Sequence, residues 1–134
     1  DVAQMLTLME QAAAETSTTE GPIFRDVGLP LCRAIVAARN GEYGSVVDLL
    51  EPLRYQVYRI GGSHAQRDLF AQLLVHATIA DERHNLARAL IGERMERRPG
   101  SSLNYRWLGQ ALDGLGDTNG ASQARGKAEE LIAA

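Results

Sequence analysis

The chain has 134 residues, 45% of them hydrophobic and 23% charged, with a formal net charge of −3. That length supports one domain with its own core, and the mild acidity excludes a general nucleic-acid binder, which would be basic. Aromatics supply only 5% of the residues, and a mixture led by alanine, leucine and arginine favours helix over strand.

The first predicted helix runs over 1–15, with Val2, Met5, Leu6, Met9 and Ala13 on one stripe. Thr16 to Gly21 is polar and β-branched, and Gly21-Pro22 and Gly28-Leu29-Pro30 punctuate an expected loop, pinned to the core by Ile23 and Phe24. Leu31 to Asn40 reads as an amphipathic helix stopped by Asn40-Gly41. Its lone cysteine, Cys32, excludes an internal disulfide and a cysteine-built zinc cage, and reads as an inert thiol among apolar neighbours. Tyr43 to Ile60 is the return helix, and Pro52 should kink or break it, because proline lacks a donor and its ring strikes the preceding turn.

After Gly61-Gly62, Ser63-His64-Ala65-Gln66 spells a capping box, in which Ser63 and Gln66 each satisfy the other's backbone N–H. The helix it opens runs to Ala80, and Glu82 to Arg98 is its partner. Arg94, Arg97 and Arg98 stand at the negative end of that partner's dipole. Pro99-Gly100 turns the chain, Ser101 or Ser102 caps Leu103–Leu115, Gly116-Asp117 turns it again, and Asn119–Ala133 closes it.

One spacing recurs along these elements. Leu108-Gly109, Leu112, Gly116-Asp117, Ala121 and Ala128 stand at the relative positions of a tetratricopeptide repeat, as do Ala34, Ala37, Gly41-Glu42-Tyr43 and Val46. A weaker middle copy keeps Ala87 and ends on Pro99. A period of about 34 residues implies stacked helical hairpins. The expected fold is therefore all-α, a tetratricopeptide-like right-handed stack of about seven helices forming a single helical-repeat domain over 1–134, with hairpins at 29–60, 63–98 and 102–134.

The stretches Pro30-Leu31-Cys32-Arg33-Ala34, Ile60 to Phe70 (IGGSHAQRDLF), Gln72 to Ala77 and Ala87 to Leu90 carry a more specific likeness. With Glu93-Arg94 and Arg97 to Ser101 they resemble the C-terminal part of the tetratricopeptide repeat protein 38 family. The likeness covers Leu29 to Ser102; Tyr105 to Ala128 follows the general repeat pattern more closely than the family's tail. Members of that family are longer, so the resemblance implies the C-terminal fragment of a longer repeat protein. It implies no reaction and no cofactor. Asp1 in place of an initiating methionine fits a cut or processed chain.

His64, Asp68, Gln72 and His76 form a constellation that could carry chemistry, and His64, Arg67 and Asp68 are the candidate motif. Steps of four put neighbours on one helix face, but His64 and His76 are about 120° and about 18 Å apart on such a helix, too far to share a metal. Helix capping competes with acid–base work as the role of His64. Arg67 and Asp68 are open to two roles, a carboxylate clamp or an ion-pair network with Arg54 or Arg59. A P-loop, a Gly-x-Ser-x-Gly elbow and a His-Glu-x-x-His pair are all missing from the sequence. No cofactor, no metal and no catalytic residue is assigned.

In repeats of this type the first helix of each pair lines a concave groove. The register assigns to it Leu31, Ile35 and Arg39, then Gln72, His76 and Ile79, then Arg106, Gln110 and Asp113. Arg39 and Arg106 would meet a carboxylate there, while Trp107 faces elsewhere as a packing residue. The leading expectation is a non-enzymatic scaffold that binds a protein or peptide in this groove. The alternatives are a cap of a longer solenoid that self-associates as a homo-oligomer, and an accessory or catalytic segment built on His64–Asp68. No run reaches the roughly 20 apolar residues of a membrane span and no signal segment opens the chain, so membrane contact is not expected and a cytoplasmic location is.

Overall fold

The computed structural model describes residues 2–16, 24–60 and 63–133. They form seven α-helices: α1 Val2–Thr16, α2 Leu29–Arg39, α3 Tyr43–Leu50, α4 His64–Ala80, α5 His84–Arg97, α6 Ser102–Gly114 and α7 Thr118–Ala133. No strand occurs among the described residues, so the class is all-α. The chain divides into two compact units, Asp1–Ala77 and Thr78–Ala134, with the boundary inside α4.

In the first unit α1 packs on α2, and α2 packs on α3. Leu6 and Met9 of α1 are 3% and 0% exposed, as the stripe predicts, and Val27, Leu31, Ile35 and Leu50 are buried with them. Each large apolar side chain removed from water in this way contributes roughly 1.5–3 kcal/mol.

Two local expectations need correction. Gly28-Leu29-Pro30 is not a loop: Phe24–Gly28 is a turn of π-helix that runs straight into α2. Pro30 stands at the start of α2, where the π-turn gives way to the α-helix. The predicted anchoring by Ile23 and the Phe24 side chain, and the breaks at Gly21-Pro22 and Gly61-Gly62, lie outside the described residues. The second correction is the return helix. It ends at Leu50, and Glu51–Leu53 and Val57–Ile60 are short 3-10 segments on either side of a turn. Pro52 sits in the first turn of the former, so the chain breaks where its ring forbids an α-helix to continue. The 57–60 segment lies against the 24–28 turn.

In the second unit α6 packs on both α5 and α7. Small residues make the close approach. Gly109 and Ala111 on α6 and Ala121, Ala124 and Ala128 on α7 are buried. A Cβ at Gly109 would stand 3.1 Å from the Arg125 side chain, whose stem crosses it. Between α5 and α6 a polar contact is enclosed. The Arg94 guanidinium donates to Asn104 Oδ1 at 3.0 Å and lies 5.5 Å from the centre of the Trp107 ring. Asn104 is fully buried, and its amide also reaches the Arg98 carbonyl at 3.5 Å. Trp107 is thus a packing residue, as its register predicts.

Three turns share one backbone geometry. Asn40-Gly41-Glu42, Asp81-Glu82-Arg83 and Leu115-Gly116-Asp117 each follow a helix and precede the next. In each, the middle residue has a positive φ: 72° at Gly41, 59° at Glu82 and 81° at Gly116. In each, the third residue's N–H donates back to the helix, Glu42 to Ala37, Arg83 to Thr78 and Asp117 to Leu112. The middle residue donates to Ala38, Ile79 and Asp113 respectively. These paired bonds are the Schellman motif, which satisfies carbonyls that a helix end otherwise leaves open. The third residue then opens the following helix, its carbonyl accepting from Val46, Ala87 or Ala121. Asp117 adds a side-chain cap, its Oδ1 accepting from the Gly120 N–H at 2.9 Å.

Glu82 is the misfit of the three, because a side chain in the left-handed region is strained where glycine is not. Glu82→Gly should raise stability by about 1 kcal/mol, the strain relief exceeding the entropy that glycine adds to the unfolded chain. Thermal denaturation reads this as a rise of a few degrees. An unchanged or lower midpoint would mean that contacts of the Glu82 side chain offset the strain.

Candidate functional site

The residues expected to line a groove fall into three environments. On α2, Leu31 and Ile35 are 1% and 3% exposed, so they are core rather than an open floor. Arg39, in the last turn of the same helix, is exposed and already holds a carboxylate: its Nε donates to Glu10 Oε1 of α1 at 2.7 Å, and its Nη2 to Thr7 Oγ1 at 3.4 Å. The hydrogen bond from Arg39, seconded by its charge, holds the Glu10 carboxyl below its ordinary value.

On α4, Gln72 and His76 are half-buried. The Gln72 amide donates to Asp68 Oδ2 at 2.9 Å. The His76 ring meets Tyr43 of α3 edge-on, with centroids 5.3 Å apart and planes at 78°. Burial pushes the His76 pKa down, since the imidazolium would lose its water there. On α6, Arg106 and Gln110 are exposed, whereas Asp113 is bound to Arg125 of α7 at 2.7 Å.

The start of α4 is organised by its cap. The Gln66 N–H donates to Ser63 Oγ at 3.1 Å, and Gln66 Oε1 accepts from the Ser63 N–H at 2.9 Å, which is the reciprocal box read from the sequence. His64 is exposed and Arg67 half-buried, and Arg67 Nη2 lies 3.2 Å from His64 Nδ1. Arg54 pairs with Glu51 and lies over the Tyr55 ring, with its guanidinium carbon 4.6 Å from the ring centre. Arg59 donates to Gln56 at 2.9 Å. Along this helix His64 thus meets Arg67, and Asp68 meets Gln72. Among the described residues no three of His, Cys, Asp and Glu gather where they could hold a metal ion. No described helix is long and apolar enough to cross a membrane.

Three partners escaped the sequence reading. Glu10 immediately follows Met9, at the edge of the buried stripe of α1, and that adjacency is the signal that could have marked it. Arg125 is legible only through Gly109, whose missing side chain leaves room for its stem. Tyr43 carries no local signal, because its contact with His76 joins helices distant in sequence.

Two predictions follow from these contacts. Ser63→Ala should cost about 0.5–2 kcal/mol by removing the α4 cap; an unchanged denaturation midpoint would assign the start of α4 to other contacts. His76 gives a pH dependence with a definite sign. Its folded pKa lies below the ordinary 6.5, so the unfolded chain takes up a proton that the folded chain resists. Stability present above 6.5 should fall as pH drops from there toward the lowered folded value, then cease to change on this account. Denaturant titrations across that window should be flatter for His76→Gln; an equal slope would assign the dependence to other groups.

No family model and no solved structure matches the chain.

Proposed function

We propose that this chain is a non-enzymatic interaction module, a tetratricopeptide-like stack of helical hairpins that binds a protein or peptide on the face formed by the first helix of each pair. The observation that carries this reading is the threefold recurrence of one Schellman turn, at Gly41, Glu82 and Gly116. Small or apolar residues recur in step with it. Ala34, Val75 and Gly109 precede the three turns at the same distance, Val46, Ala87 and Ala121 follow them at the same distance, and all six are buried. A unit repeated in backbone and in burial is what a repeat scaffold requires.

The resemblance of its sequence to the tetratricopeptide repeat protein 38 family is in keeping with the same reading, and the proposal takes that family's C-terminal part as the region it is similar to. A cytoplasmic location belongs to the proposal as well, consistent with the free thiol of Cys32. The pairing of His64 with Arg67 and of Asp68 with Gln72 favours a structural role for the motif over a catalytic one.

Of the two arginines expected to meet a carboxylate, Arg39 is engaged by Glu10, so Arg106 with Gln110 offers the exposed polar face. Arg106→Ala combined with Gln110→Ala should leave the fold intact, since neither side chain is buried. Capture from source-cell lysate, followed by titration of the purified partner, should show a protein held by wild type and released by the double variant. Equal affinity for both chains would reject this face.

A further inference from the structure

We draw no further inference here: the strongest candidate, the surface patch of exposed Tyr55 and Tyr58 beside the Arg54 guanidinium, in the turn and the short 3-10 segment that follow α3, carries nothing because nothing in the structure shows what covers it.

Discussion

Ending one helix and starting the next within three residues is the constraint on which this structure depends. A helix leaves its last carbonyls without intrahelical donors, and a tight reversal gives water little room to serve them. At Gly41, Glu82 and Gly116 the chain solves this by stepping once into the left-handed region. That step turns two backbone N–H groups back onto the helix just completed. It also points the chain into the next helix, so α2 can pack on α3 and α6 on α7. At Gly41 and Gly116 the buried small and apolar residues on either side of the turn lie on helices that pack together.

Polar groups inside the units follow the same economy of local satisfaction. Asn104 is enclosed, and its side chain both accepts from Arg94 and donates to a backbone carbonyl. Arg94 in turn covers the Trp107 ring. Charges pair between neighbouring helices, Arg39 with Glu10 and Arg125 with Asp113. Those exposed pairs fix direction and register more than they add stability.

Much of this was legible in the sequence wherever the cause was local. The Ser63–Gln66 box, the stops at Gly41 and Gly116 and the break at Pro52 each follow from a few adjacent residues. Helix class followed from apolar periodicity, and the Leu6–Met9 stripe from the same rule. What stayed hidden has two causes. Gly28 and Pro30 usually signal a loop, yet one closes a π-turn and the other stands at the start of the α-helix that follows it directly. Glu82 is a residue type that rarely adopts a positive φ, so the geometry of its turn is visible only beside its two glycine counterparts. The candidate site was less legible than the fold. The register named Arg39 and Asp113 from their helices alone, and nothing local announces the Glu10 and Arg125 that hold them.

Trp107 is the single tryptophan of the chain, and it lies in the second unit beneath the Arg94 guanidinium. Its emission therefore reports on the surroundings of a residue in that unit, whereas far-ultraviolet dichroism sums every helix. Coincidence of the two signals during denaturation would describe two units that melt as one cooperative body, and separation would give each its own midpoint. A side chain that serves as packing in the folded state thus doubles as an optical label for one half of the molecule.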